Sequence, residues 1–186
     1  FLSQLVRSLD EAANKARRFS ISVYALDAKT IDFCKNLSGS LKSVEIEAYA
    51  IDDIKDKRIN MMRIDRPFWE FCWGIAPFVI LNEMNRSGDV TYIDADMYFL
   101  NCPGAYLDKC VESKRVLMTP HFHEKTHLNS VSHGTYCVQF MYFPATNIGT
   151  QILKEWADDC FRSSGISIEE GIYGDQLYLD KWPNEY

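Results

Sequence analysis

Segments rich in β-branched and aromatic residues alternate with segments of helical periodicity, and this alternation restricts the fold more than any other feature. Strands are predicted over residues 20–26, 43–50, 89–94, 114–120 and 135–143. Helices are predicted over residues 1–19, 27–37, 67–85, 102–113 and 147–162, the third of them kinked before Pro77. Alternating strands and helices favour one α/β domain over residues 1–186, with a central, mostly parallel (mixed) sheet flanked by helices.

Two stretches lack a clear period. Residues 51–66 are charged and irregular, which predicts a loop with one helical turn. Residues 121–134 form a polar segment that holds all four histidines, and it predicts a loop at the rim of a cleft. His121 and His123 alternate there, so a metal role for this pair is a second interpretation.

Composition excludes several classes of function. The net charge of −6, without a basic tail, argues against strong nonspecific nucleic-acid binding. No apolar run approaches the roughly 18 residues that a membrane span requires, so none is predicted. The six cysteines form no C-x-x-C pair, which predicts reduced core thiols and a cytoplasmic location. The start at Phe1 predicts a fragment of a longer protein.

Two aspartates stand at the end of a predicted strand in "VTYIDADMYF", residues 90–99. In a parallel α/β sheet, ligands bind at the carboxyl ends of the strands, where Asp94 and Asp96 are expected. Neighbouring carboxylates repel each other unless a cation lies between them, and Mg²⁺ or Mn²⁺ prefers such oxygen ligands. The sequence therefore predicts a divalent metal site that holds phosphate. A turn-capping aspartate followed by a solvated one is the alternative interpretation.

Three ordered stretches resemble one enzyme family. "VTYIDADMYFLNCP" looks like the D-x-D segment of nucleotide-diphospho-sugar glycosyltransferases with the A-type (GT-A) fold, and "YGDQLYLDKWP" resembles their "DQ-x-x-L" segment. "GTYCVQFMYFPATNIGTQILKEWADDC" resembles the strand and helix that line the acceptor side. The resemblance extends from about residue 20 to the end and is closest to the retaining branch of glycogenin and bacterial lipopolysaccharide sugar transferases. It implies a Rossmann-like GT-A domain that moves sugar from a nucleotide-diphospho-sugar to a saccharide or glycoconjugate.

The resemblance also implies roles for individual residues. Asp94 and Asp96 would bind Mn²⁺ or Mg²⁺, and Asp94, Ala95 and Asp96 would contact the donor nucleotide. Asp175 and Gln176 would face the donor sugar near its reacting carbon and act as catalytic residues. A cation at the diphosphate would stabilise the charge that develops as the nucleoside diphosphate leaves.

The sequence departs from the family pattern at several positions. Cys137 stands where relatives often carry Asn or a small residue, which argues against the hydrogen bond that those relatives make on the acceptor side. "GIAPF" stands where glycogenin-like enzymes carry a phosphate-contacting Lys, so Arg63 or Arg66 is predicted to substitute, with solvated loop charges as the alternative. No His follows the "DQ" segment to serve as a third metal ligand, and the strand that would cradle the nucleotide base is missing.

Two other functions compete with the transferase. A haloacid-dehalogenase-type phosphatase also uses D-x-D after a strand, but on the first strand of its domain. A noncatalytic nucleotide- or sugar-binding module, a degenerate transferase, is the other alternative. The sequence also predicts that Trp156 and Trp182 are core residues, with a saccharide stacked on Trp182 as the other interpretation, and that Asp158 and Asp159 form a solvated face.

Overall fold

The computed structural model describes residues 1–13, 15, 17–121, 134–170 and 172–186, with the backbone alone at residue 168. The chain divides into two compact units. The first comprises residues 1–55 and 93–113, and the second comprises residues 56–92 and 114–186. That all of it acts as one domain stays a prediction.

The first unit is a β-α-β arrangement with two further helices. Its elements are α1 (Leu2–Ala13), β1 (Phe19–Ala25), α2 (Ala28–Ser38), β2 (Val44–Ala50), a 3₁₀ turn (Ile51–Asp53) and α6 (Gly104–Ser113). Strands β1 and β2 pair in parallel, from Phe19 opposite Val44 to Ala25 opposite Ala50. Because parallel neighbours need a crossover, α2 carries the chain between them. Asp27 begins α2 by accepting a hydrogen bond from the Thr30 N–H at 2.8 Å.

A small apolar core holds the first unit together. Its buried members come from α1, α2 and β2: Val6, Leu9, Leu37 and Val44. A second contact fixes the start of β2 on α1, because one Asp10 oxygen accepts the backbone N–H groups of Lys42, Ser43 and Val44 at 2.9, 2.6 and 3.1 Å. These bonds satisfy three donors that the strand itself leaves open.

The second unit contains the larger core. Its elements are α3 (Lys57–Asp65), α4 (Phe68–Gly74), α5 (Ala76–Ser87), β3 (Val90–Ile93), β4 (Leu117–Pro120), β5 (Tyr136–Phe143), α7 (Asn147–Arg162), β6 (Ile166–Ser167), a 3₁₀ turn (Ile168–Glu170), β7 (Ile172–Tyr173), a second 3₁₀ turn (Leu177–Lys181) and α8 (Trp182–Glu185). The core is built from α5, β5, α7 and the residues after Gln176, and includes Ile80, Phe143, Leu153, Trp156 and Trp182.

The central sheet that the sequence predicts differs from the sheets that the described residues form. Strands β1 and β2 make a parallel pair, β3, β5 and β4 make a sheet in that order, and β6 and β7 make a short antiparallel pair. Strands β4 and β5 are antiparallel. The α/β class is confirmed, whereas one continuous parallel sheet is absent from this part of the chain.

The prediction of a loop over residues 51–66 was wrong, because most of this stretch is helix α3. Asp56 begins the helix by accepting the Arg58 N–H at 3.0 Å. Only Ile59 and Met62 of α3 are buried, so two apolar positions three apart are the whole amphipathic signal. Charged residues surround them and hide the period.

The predicted long helix is divided into α4 and α5. The break lies at Ile75, and Pro77 occupies the second position of α5, where its missing N–H costs no helical hydrogen bond. The kink predicted before Pro77 is therefore confirmed as a boundary between two helices. Of the described helices, none combines the length and apolar character needed to cross a membrane.

Helix α7 corrects one prediction. The helix buries Ile152, Trp156 and Cys160, whereas Ile148 in its first turn is 56% exposed. Asp158 is exposed as expected. Asp159 was predicted to be solvated, yet it is 3% exposed. It contacts Arg162 and accepts a hydrogen bond from Lys181 at 2.8 Å, and these two cations compensate its burial.

Candidate functional site

The "DAD" segment forms a tight turn directly after β3. The Met97 N–H donates to the Asp94 carbonyl at 3.2 Å, so Ala95 and Asp96 occupy the two central positions. Asp94 is half-buried, whereas Ala95 and Asp96 are exposed. The segment belongs to the first unit, whose chain begins again at residue 93. An exposed turn of this kind presents carboxylate oxygens to a ligand.

The chain beyond the turn is fastened to α1. The buried Ser8 hydroxyl donates to the Leu5 carbonyl at 2.8 Å and accepts the Phe99 N–H at 3.0 Å. Arg17 and Asp108 make two parallel hydrogen bonds of 2.7 and 2.8 Å. Sequence reasoning missed this support, although a serine on the apolar face of α1 was a signal for it. Both contacts limit the positions that the D-x-D turn can adopt.

The "GDQ" segment is a second turn, in the second unit. Gly174 has φ +60°, which is the left-handed region that disfavours residues with a Cβ atom. Its N–H donates to the Gly165 carbonyl at 2.8 Å, and an ideal Cβ at this position would lie 3.3 Å from Cε3 of Trp73. Asp175, which follows, is 9% exposed, and Gln176 is half-buried. Gly174 thus allows the backbone to reverse where Asp175 must be placed.

Trp156 holds the "GDQ" turn by a hydrogen bond from the buried core. Its indole N–H donates to the Asp175 carbonyl at 2.8 Å, and its ring is fully buried. The ring stacks on Phe143 with centroids 6.2 Å apart and meets Trp182 edge-on at 5.6 Å. The core role predicted for both tryptophans is confirmed. Trp182 is 3% exposed, so it cannot offer a face to a saccharide, and that alternative was wrong.

Burial perturbs two ionisable groups of the second unit, Cys160 and Tyr178. Burial raises the pKa of the Cys160 thiol well above its usual value, and the charges of Asp175 and Asp159 add to the rise. Burial likewise raises the pKa of Tyr178 to about 12, with Cys160 and Asp159 as smaller causes. Both groups are therefore neutral at physiological pH.

The two arginines predicted to contact phosphate lie on or beside α3. Arg63 is exposed and lies 5.4 Å from the centroid of the Phe71 ring. Arg66, at the end of α3, is 11% exposed in its side chain. It donates to the Cys160 carbonyl and the Ser164 hydroxyl, both at 2.7 Å, and also to the carbonyl of residue 161.

These bonds place the Arg66 guanidinium at the C-terminal end of α7, where a cation is favourable. Its Nε also lies 3.5 Å from Glu70. A phosphate contact by Arg66 would have to compete with all of these partners. Arg63 is the more exposed of the two residues, and its phosphate role stays a prediction.

A divalent cation fits the chemistry of the D-x-D turn. Two carboxylates one residue apart on an exposed turn supply hard oxygen donors, which is the donor type that Mg²⁺ and Mn²⁺ prefer. Among the described residues, no group of three or more His, Cys, Asp or Glu side chains is arranged to hold a metal ion. Two protein ligands, with phosphate and water oxygens for the rest, would therefore be the expected coordination.

Two further predicted positions, His121 and Cys137, belong to the described residues. The His121 N–H donates to the Thr135 carbonyl at 2.9 Å. His123 and His133 lie outside the described residues, so the paired-histidine metal site stays a prediction. Cys137 is half-buried on β5, opposite Thr119 of β4.

The comparison with known families decides the assignment. A sequence profile of the family described as nucleotide-diphospho-sugar transferase matches residues 19–184. The chain belongs to this family. The match includes both the D-x-D turn and the "GDQ" turn, and it does not favour the phosphatase alternative.

Two relatives are known from Bacillus subtilis (strain 168), and both are uncharacterized. The protein YfnD is 21% identical over 191 residues, an alignment that covers 100% of this chain and 59% of YfnD. The protein YfnF is 25% identical over 150 residues, covering 75% of this chain and 49% of YfnF. The chain thus spans about half of the length of the curated relatives that it matches.

Proposed function

We propose that the chain is part of a metal-dependent glycosyltransferase that moves a sugar from a nucleotide-diphospho-sugar to a saccharide or glycoconjugate. The observation that carries the proposal is the exposed D-x-D turn after β3 in a member of the nucleotide-diphospho-sugar transferase family. A GT-A arrangement, the glycogenin and lipopolysaccharide transferase branch and a retaining outcome belong to the same proposal. A cytoplasmic location, inferred from the cysteine usage, belongs to it too.

The chemistry assigns different tasks to the two turns. Asp94 and Asp96 would hold Mn²⁺ or Mg²⁺, which, when bound, neutralises the charge that develops on the diphosphate oxygens. In the reaction, the bond from the anomeric carbon to the diphosphate oxygen breaks and a bond to an acceptor hydroxyl oxygen forms. Asp175 and Gln176 would orient the donor sugar, and the Trp156 indole would hold the Asp175 backbone in place. Burial of Asp175 strengthens its interactions with the sugar.

A thermal-shift experiment tests the proposal. The melting temperature is measured with a panel of nucleoside diphosphates, each with Mn²⁺ and with a chelator. A ligand that binds only the folded state at about a hundredfold excess over its Kd stabilises by about 2.7 kcal/mol. At least one diphosphate should raise the melting temperature with Mn²⁺ alone, and Asp96→Asn should abolish the rise.

Asp32→Asn is the matched control, because Asp32 is also an exposed carboxylate of the first unit, with 74% of its side chain accessible. It should behave as the parent chain. A diphosphate that raises the melting temperature equally in the presence of chelator would show that its binding does not depend on a metal. Binding without donor turnover, with any nucleotide-sugar in a broad panel, would favour the noncatalytic module.

A further inference from the structure

Two of the four tryptophans are exposed, and both lie on α4. Trp69 is 46% exposed and Trp73 is 37% exposed, whereas Trp156 and Trp182 are buried. The two exposed rings touch edge to face, with centroids 4.8 Å apart and an interplanar angle of 67°. Because the two rings are in contact, they form a contiguous exposed aromatic surface, and contiguous apolar surfaces are where ligands and partners bind.

The pair lies beside the "GDQ" turn. The Trp73 ring faces Gly174, since an ideal Cβ on that residue would lie 3.3 Å from ring atom Cε3. Gly174 directly precedes Asp175, which we propose to contact the donor sugar. The Trp73 ring also makes Gly174 difficult to replace, so Trp73 and the "GDQ" turn pack directly against each other. A ligand on Trp73 would therefore lie next to the residues that act on the reacting sugar.

A carboxylate lies at the same turn. Glu70, between the two tryptophans in sequence, has both oxygens 3.6 Å from the ideal Cβ position of Gly165. Gly165 is the residue whose carbonyl accepts the Gly174 N–H. Glu70 is partly accessible, at 18% of its side chain, and its charge is balanced by Arg66. The surface therefore combines aromatic faces with a hydrogen-bond acceptor and carries no excess of positive charge.

This combination selects among possible ligands. Because Glu70 is already paired with Arg66, the described part of this surface offers a phosphate or other anion no net positive charge, so an anionic ligand is disfavoured. A neutral pyranose ring has an apolar face of C–H groups and hydroxyls at its edge, which suit an aromatic face and a neighbouring carboxylate. We propose that Trp69 and Trp73 bind a neutral pyranose ring of the acceptor saccharide, beside Asp175. This inference rests on the proposed function for the chemistry at Asp175.

Direct binding of neutral saccharides tests the inference without any donor. The probes are maltotetraose, cellotetraose and the N-acetylglucosamine tetramer, with Kd measured by calorimetry and by saturation-transfer NMR. At least one probe should bind the parent chain. Trp73→Ala should weaken that binding about tenfold or more, as expected for loss of a stacked face. Trp73→Phe, which keeps an aromatic face, should recover most of it.

Two further variants guard against a loss of folding. Trp69→Ala removes the ring that does not face Gly174, and it should also weaken binding. Ile148→Ala removes a side chain that is 56% exposed on α7 of the same unit, and it should leave binding unchanged. If Trp73→Ala fails to fold by circular dichroism, Trp69→Ala decides the question.

A separate titration keeps the two proposals apart. Trp73→Ala and Trp69→Ala should bind a nucleoside diphosphate with Mn²⁺ as the parent chain does. If the parent chain binds no saccharide, or if both variants bind it unchanged, the inference that Trp69 and Trp73 bind the acceptor is overturned. Diphosphate binding then shows whether the transferase proposal still stands. Saccharide binding that depends on the tryptophans supports the surface, even if no diphosphate binds. A loss of diphosphate affinity with intact saccharide binding assigns the rings to the donor and overturns the inference.

Discussion

Replacing Gly174 by alanine is expected to destabilise the second unit and to displace Asp175. Gly174 has φ +60°, and a residue with a Cβ atom pays about 1 to 2 kcal/mol in that conformation. The new methyl group would lie 3.3 Å from the Trp73 ring, and that crowding adds up to about 1 kcal/mol. Alanine lowers the entropy of the unfolded chain, which offsets about 0.4 to 1 kcal/mol.

The middle of each range gives a net loss of about 1.3 kcal/mol. For a chain of this length, that corresponds to a melting temperature lowered by about 3 to 5 °C. The free energy of unfolding is measured by urea denaturation, with tryptophan fluorescence as the probe. Donor hydrolysis is measured in parallel. It should fall by more than the loss of stability explains, because the Asp175 carbonyl would be displaced from the Trp156 indole N–H that donates to it.

Gly165→Ala is the matched control. Gly165 shares the hydrogen bond with Gly174, but its φ lies outside the left-handed range and its ideal Cβ makes only an ordinary contact, 3.6 Å from the Glu70 carboxylate. This variant should stay within about 0.5 kcal/mol of the parent. If Gly174→Ala is as stable as Gly165→Ala, the account of the turn is wrong.

Three further substitutions test the packing. Asp10→Asn should lower the free energy of unfolding by about 1 kcal/mol in urea at neutral pH, since its carboxylate accepts three backbone N–H groups. Burial alone would raise the pKa of Asp10, but these hydrogen bonds hold it below the usual value. The stability deficit of Asp10→Asn should therefore persist above pH 4 and disappear as the pH falls further. A deficit that grows in acid would contradict this. Tyr178→Phe should lose the hydrogen bond to the Ser163 carbonyl. Its stability deficit should shrink between pH 10 and 12, because burial raises the pKa of Tyr178 to about 12 and only the parent chain loses stability as that group ionises. A constant difference between the two melting temperatures across this pH range would refute this. Arg66→Lys should cost about 1 to 3 kcal/mol in the same urea assay, since an ammonium group cannot reach two carbonyls and a hydroxyl together, and an unchanged midpoint would show that α7 does not depend on this cap.

Local sequence signals predicted most helices and strands of this chain because each element buries a regular stripe. Residues 2–13 and 147–162 carry clear periods, and both are helices. Helix α3 was missed because its buried face is only Ile59 and Met62. Sheet pairing was predicted less well, since the partner of a strand depends on contacts between distant residues that no local pattern reports.

The candidate site shows the same division. The D-x-D segment was found because two carboxylates at the end of a strand indicate a cation site, and the "GDQ" segment was found through its resemblance to a family motif. Two supports of these segments were not found: the Ser8 hydroxyl, which accepts the Phe99 N–H, and the Trp156 indole, which donates to the Asp175 carbonyl. Hydrogen bonds between residues so far apart in sequence leave little local pattern, and a serine on the apolar face of α1 was the one sign of them. The burial of Asp159 was missed for a related reason, because one of its compensating cations, Lys181, lies 22 residues away in sequence.

Metal-dependent donor binding by the D-x-D turn and chemistry at the "GDQ" turn can be measured separately. Titration of a nucleoside diphosphate with Mn²⁺ is set beside release of free sugar from the corresponding nucleotide-sugar, for the parent chain, Asp96→Asn and Asp175→Asn. We expect Asp96→Asn to lose both. Asp175→Asn should keep metal-dependent diphosphate binding and lose most turnover, because a group that acts in the transition state affects rate more than affinity. Donor hydrolysis by Asp175→Asn at the parent rate would contradict the assignment of the "GDQ" turn.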